Sequence, residues 1–239
     1  MQVEVVKLPS ELGDVDRSGE LFIVVDVLRL CSTMLTAFAN GCEAVIPVAE
    51  PAEALALRRE RPELLVAGER GGYRVEGFDL GNSPFEMTRE VVGGRTLAAC
   101  STNGSKAMVA SRAGAETVVA CFLNVSAAAG YVYASGRSAV ILCAGKEGVA
   151  SLEDLVCAGL LVEKLMAFDA TPATLGAGAE QAVALYRTHR HDLRRMVEEC
   201  EHGRYLTSIG MGRDVPHCAQ LDLFNLVPRL VGDEIRCGR

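Results

Sequence analysis

Five stretches of this sequence carry side chains that could act on an anion. LFIVVDVLR places Asp26 and Arg29 after an apolar run, and ELLVAGER places Glu69 and Arg70 after another. RTLAACSTNGS supplies Ser101, Thr102, Asn103 and Gly104, VVACFLN supplies Asn124, and VILCAGKEGVASLED supplies Lys146, Glu147, Glu153 and Asp154. The segment from Gly68 to Glu86, GERGGYRVEGFDLGNSPFE, adds Asp79, Asn82 and Ser83 and has neither helical nor strand period. Arginine holds phosphate or carboxylate through two parallel hydrogen bonds, and a helix N-terminus offers free N–H groups to an anion. Carboxylates beside asparagine suit Mg2+, a hard ion that keeps waters and shares substrate phosphates. The combination points to a small anionic substrate and a hard divalent cation. Each piece also has a plainer use. Asp26 could cap the next helix, STNGS could be a cap and turn, and Glu69–Arg70 a surface pair worth ~0–1 kcal/mol. Asp79, Asn82 and Ser83 are turn chemistry, and Glu153 and Asp154 suit a helix's first turn. Their common position after strands favours the site.

The elements that must position these residues follow from periodicity. Apolar runs at 3–8, 21–27, 43–48, 63–68, 95–100, 116–122 and 138–145 read as strands. Helical spacing marks 32–41, 51–60, 103–114, 126–136 and 151–166, with Pro51 opening one helix, Ser126 a cap and Ser151–Asp154 a loose capping box. Continuous apolar strands alternating with helices predict an α/β fold, with helices on both faces of a largely parallel sheet. Ligands in such sheets sit beyond the strands' carboxyl ends. One unit over 1–239 is expected, with a more helical portion from about 171, a Gly/Ala-rich break near 171–179, and a tail containing VPRL. The Gly68–Glu86 loop is too apolar to read as disordered and is expected to be an ordered, working loop.

Composition excludes several classes. The chain has 239 residues, net charge −7 and no basic run, which argues against nucleic acid. No segment approaches the ~20 apolar residues of a membrane span, and MQVEVVKLPSELG lacks the form of a signal peptide. Nine cysteines, an odd count without a CxxC, read as reduced core thiols of a cytoplasmic protein. His189 and His191 are spaced to point apart on a helix, while His217 sits in an irregular stretch near enough to consider. There is no GxxxxGK[ST] phosphate loop and no GxSxG elbow. The second aspartate of an aspartyl phosphatase is absent, since Leu28 stands two residues after Asp26.

DVLRLCSTMLTAFANGCEAVIPV, AGERGG, EGFDLGNSPFE, STNGSKA and the CAG…SLEDLVCAG run together resemble the 2-phosphosulfolactate phosphatase family over nearly the whole chain. Leu30 and Cys31 stand where the family usually has Ala-Thr or Ala-Ser, and STNGS replaces TTNGT. The resemblance implies a three-layer α/β/α fold with a largely parallel or mixed sheet. It also implies a Mg2+-dependent phosphatase acting on 2-phospho-3-sulfolactate, a step toward coenzyme M. On that reading Asp26, Arg29 and Glu69 form the catalytic set, and Asp26 and Glu69 hold the metal with Asp79 and Asp154 in reserve. Arg70, Asn82, Ser83, Ser101, Thr102, Asn103, Gly104 and Asn124 would meet the substrate, and the Gly68–Glu86 loop would wall the site. A homodimer is the default assembly. Two rivals are an isochorismatase-like cysteine hydrolase using Asp26, Lys106 and Cys143, and an anion-binding module without turnover.

Overall fold

The run LFIVV, Leu21–Val25, is fully buried at every residue, as a strand must be when both sheet faces are covered. It is the second strand of a computed structural model that describes residues 1–168 and 174–238. The strands are β1 (Gln2–Val6), β2 (Leu21–Val25), β3 (Ala44–Val48), β4 (Leu65–Arg70), β5 (Tyr73–Arg74), β6 (Thr96–Cys100), β7 (Glu116–Ala120), β8 (Ala139–Cys143), β9 (Thr174–Leu175), β10 (Pro228–Val231) and β11 (Glu234–Cys237). The helices are α1 (Leu30–Ala39), α2 (Pro51–Glu60), α3 (Arg89–Val92), α4 (Gly104–Ala110), α5 (Val125–Ser135), α6 (Leu152–Ala167), α7 (Ala177–His189), α8 (Leu193–Glu199), α9 (Glu201–Ser208) and α10 (Asp214–Cys218).

The strands form one mixed sheet in the order β5-β4-β6-β3-β11-β10-β7-β2-β8-β1-β9. β4-β6-β3 and β7-β2-β8-β1-β9 are parallel blocks. Between them lies the antiparallel hairpin β10–β11, joined to each block at one residue pair, Arg229 with Val118 and Ile235 with Val45. The stretch expected to be a tail is thus the middle of the sheet. It goes unseen in the sequence because VPRL and EIRC are short and flanked by charge, unlike the apolar runs of the parallel strands.

Alternation along β3, β4 and β6 divides their side chains between two layers. Val45, Ala67 and Leu97 join the main core with α1, while Ile46, Val66 and Ala98 pack with Ala54 of α2 on the other face. α5, α6 and α7 pack side by side, and α1 packs on α4, giving helices on both sides of the sheet. α5 begins at Val125 rather than at a Ser126 cap, because the Ser126 hydroxyl bonds Asp222 instead. The Ser151 side chain makes no capping bond. Of the expected break at 171–179, residues 171–173 lie outside those described, and 174–175 form β9. Among the described residues no helix is long and apolar enough to cross a membrane.

Candidate active site

Asp26 comes directly after β2, where the chain turns into α1. Its Oδ1 accepts the Leu30 N–H at 3.0 Å. Its Oδ2 faces Gly104, where a Cβ would sit 2.2 Å from it. Gly104 therefore serves the site by being small. It also shows that the ends of β2 and β6 meet, although four strands lie between them in the sheet order. Burial pushes the Asp26 carboxyl up to about 7, helped by the charges of Glu69 and Glu153 and opposed by His202 and the Leu30 N–H.

Glu69, buried at the end of β4, accepts the Thr102 N–H at 2.8 Å and the Gly72 N–H at 2.7 Å. One carboxylate thus ties the glycine loop to the turn after β6. Arg29 is also buried. Its guanidinium donates to Asp214 at 2.7 Å and to the Gly72 carbonyl at 3.0 Å, and Ser83 donates to the other Asp214 oxygen at 2.8 Å. The Thr102 hydroxyl is buried with no partner among the described residues. The Asn103 carboxamide oxygen accepts the Glu147 N–H at 2.9 Å, and Ser101 exchanges hydrogen bonds with Ser105.

Asp26, Arg29, Glu69, Asn82, Ser101, Thr102 and Asn103 line one cleft at the carboxyl edge of the sheet. The other sequence-predicted residues lie elsewhere, each for a local reason. Ser83 stands behind Arg29, on Asp214. Arg70 turns away to the Ala49 carbonyl and Glu50. Asp79 accepts the Val66 N–H and pairs with the half-exposed Arg58. Asn124 is fully buried, bonding the Cys121 N–H and the carbonyls of Val119 and Leu226, and so anchors the C-terminal segment. Asp154 sits beneath the cleft, accepting the N–H groups of Val27 at 2.8 Å and Gly145 at 3.1 Å. Burial, then the charges of Glu153 and Asp26, hold its carboxyl well above the usual range.

His217 lies outside this cleft, bonded to Thr36 and with its ring tilted 56° against that of Phe85, and burial lowers its pKa. The cysteine reading loses its parts. Lys106 is exposed, and Cys143 is fully buried inside β8 with its thiol pushed well up by burial, far from a reactive thiolate.

Three cleft-side residues escaped the sequence reading. Asp214 fixes Arg29. His202, at the cleft, places Nδ1 3.1 Å from Oε1 of buried Glu153. Tyr205 donates to the Gly71 carbonyl at 2.9 Å. All three come from the helices after residue 200, where nothing in the local pattern separates a cleft residue from a solvated one.

A family model described as 2-phosphosulpholactate phosphatase matches residues 7–233. The chain belongs to the 2-phosphosulfolactate phosphatase family. Relatives named probable 2-phosphosulfolactate phosphatase include one from Caldanaerobacter subterraneus, 35% identical over 96% of this chain and 95% of its own. Another, from Thermotoga petrophila, is 39% identical over 87% of this chain and 88% of its own. A third, from Gloeobacter violaceus, is 37% identical over 96% and 95%. Membership makes the chain a hydrolase of phosphoric monoesters, with a small phosphorylated compound as its substrate.

Proposed function

We propose that this chain is a Mg2+-dependent phosphatase that converts 2-phospho-3-sulfolactate to 3-sulfolactate and phosphate, in coenzyme M formation. The cleft supports this reading through one observation above the rest. Asp26, a buried residue at a strand end, accepts a hydrogen bond on Oδ1 alone among the described residues, and it shares the cleft with the buried, partnerless Thr102 hydroxyl and the buried Arg29. A hydroxyl buried without a partner is costly; a phosphate oxygen would satisfy it, and the second Asp26 oxygen is left for a metal.

The donor set fits Mg2+. Asp26 and Glu69 offer carboxylate oxygens at one cleft, the donors that Mg2+ takes together with waters and substrate oxygens. Asp26 and Glu69 would hold it, and it would neutralise charge on the transferring phosphoryl group. The protein's own groups do the rest. Asp214 and Ser83 fix the plane of Arg29, so that its remaining N–H groups meet phosphoryl oxygens in a set direction. The Thr102 hydroxyl donates a hydrogen bond to a phosphate oxygen. Glu153 orients the His202 ring through Nδ1, leaving Nε2 to give a proton to the sulfolactate oxygen as the ester P–O bond breaks and a water oxygen replaces it on phosphorus. The nine free thiols suit a reducing cytoplasm.

The test is phosphate release from 2-phosphosulfolactate and from phosphorylated hydroxy acids lacking the sulfonate, each with Mg2+ and with chelator. Release that requires Mg2+ and is fastest with the sulfonate is expected. Release undiminished by chelator, or no preference for the sulfonate, would sink the proposal.

A further inference from the structure

We propose that Lys146 is the specificity-determining residue that grips the substrate's second anion, so that the site selects phosphate esters bearing an acidic group close to the ester carbon. This rests on the phosphatase reading and adds a residue to it.

The charge in the cleft calls for such a residue. Asp26, Glu69 and Glu147 line it, against two permanent cations, Arg29 and Lys146. Arg29 is already matched by Asp214 at 2.7 Å, both side chains almost wholly buried. It brings oriented donors to the phosphate but little uncompensated charge. 2-Phospho-3-sulfolactate carries two further negative charges, a carboxylate on the ester carbon and a sulfonate one carbon away, into a cleft that already holds carboxylates. Only a cation free to leave its own partner can meet one at little cost.

Lys146 has that freedom. Its ammonium pairs with Glu201 at 3.3 Å, and the Glu201 side chain is 88% exposed, so the pair is weak and screened. It lies 4.5 Å from the centre of the Tyr205 ring, a contact that keeps the chain over the cleft without neutralising it. Tyr205 is itself pinned to the Gly71 carbonyl on the opposite wall. Lys146 also borders a second cleft of about 730 Å3, toward α7 and α8, whose lining it shares with Glu201.

The backbone holds Lys146 in place with unusual care. Lys146 and Val149 exchange both N–H···O bonds, at 2.8 and 2.9 Å, closing a two-residue turn. The turn residues, Glu147 and Gly148, have φ of 50° and 80°. A glutamate in this region is uncommon and strained. Asn103, from the turn after β6, clamps the Glu147 N–H. The lysine is thereby registered against the same turn that carries Thr102.

The experiment compares kcat and KM for 2-phosphosulfolactate, 2-phosphoglycerate and glycerol 2-phosphate. All are secondary phosphate esters, and only the last lacks a second anion. Lys146→Ala should raise KM about tenfold or more for the two acids, the usual effect of losing a charge-assisted bond. It should leave kcat and the glycerol 2-phosphate parameters within about threefold, and Lys146→Arg should restore most of the preference. Equal losses on all three esters, or an unchanged preference, would overturn the assignment. If the wild type ignores 2-phosphosulfolactate, the proposed substrate fails by itself, and the ratio between 2-phosphoglycerate and glycerol 2-phosphate still decides the role of Lys146.

Discussion

The carboxyl ends of β2 and β4 carry the same two residue types, an acid and then an arginine, and use them differently. At β2, Asp26 and Arg29 both line the cleft and both are buried. At β4, Glu69 lines the cleft while Arg70 reaches the Ala49 carbonyl and the exposed Glu50. The cause is spacing. Glu69 and Arg70 are adjacent in an unbroken strand, where successive side chains point to opposite faces. Asp26 and Arg29 straddle the turn from strand to helix, and three residues of turn bring them back to the same side. The partners then set the energetics. Arg29–Asp214 is out of water, with 3% and 1% side-chain exposure, whereas Arg70–Glu50 is at the surface with 34% and 59%.

That contrast can be broken most forcefully at Asp214. Asp214→Asn leaves the Arg29 cation buried without its counter-charge. About 3–5 kcal/mol of stability should be lost, and kcat/KM should fall about a hundredfold, measured by urea denaturation and phosphate release. A loss no larger than that of Glu50→Gln would erase the distinction between the two arginines. At the β4 end, Glu69→Gln removes the charge and keeps an acceptor for only one of the Thr102 and Gly72 N–H groups, which bond separate Glu69 oxygens. It should cost about tenfold to a hundredfold in kcat/KM, with a higher Mg2+ requirement, read from a metal titration of the rate.

The pH dependence of the metal-free protein sharpens the picture of β2. Asp26 titrates at about 7 in the folded chain and near 3.8 otherwise, and Asp154 is shifted the same way. Between those values the folded state binds more protons, so stability falls as pH rises through the window and is lowest above it. The melting temperature of chelated protein should drop from about pH 5 to about pH 8, by several degrees. Asp26→Asn should flatten the drop. A melting temperature that rises over this range would refute the account of Asp26. The smallest effect belongs to Arg70→Ala, expected within about 0.5 kcal/mol in stability and about threefold in rate.

Much of this fold was legible. Seven apolar runs gave the parallel strands because strands buried on both faces must be apolar throughout. The hairpin at 228–237 was not, since its strands are four residues long and bury one residue each, Pro228 and Ile235. The residues after strand ends were the right place to look, yet their individual fates depended on tertiary neighbours. Asn124, in the turn after β7, and Asp154, in the first turn of α6, were candidates like Asp26, but backbone groups take up their side chains. His202 reaches the cleft, and Asp214 reaches Arg29 beside it, through the helices after residue 200, and Gly104 meets Asp26 although four strands separate β6 from β2 in the sheet order. Local sequence carries no trace of either.

The most direct test of the Asp26-centred cleft is kcat/KM for Mg2+-supported phosphate release by Asp26→Asn against wild type. The amide keeps the shape and an acceptor for the Leu30 N–H while removing the charge. The account predicts a fall of about a thousandfold or more, with a melting temperature at about pH 8 that is equal or higher. Turnover near the wild-type value in a folded Asp26→Asn protein would contradict it.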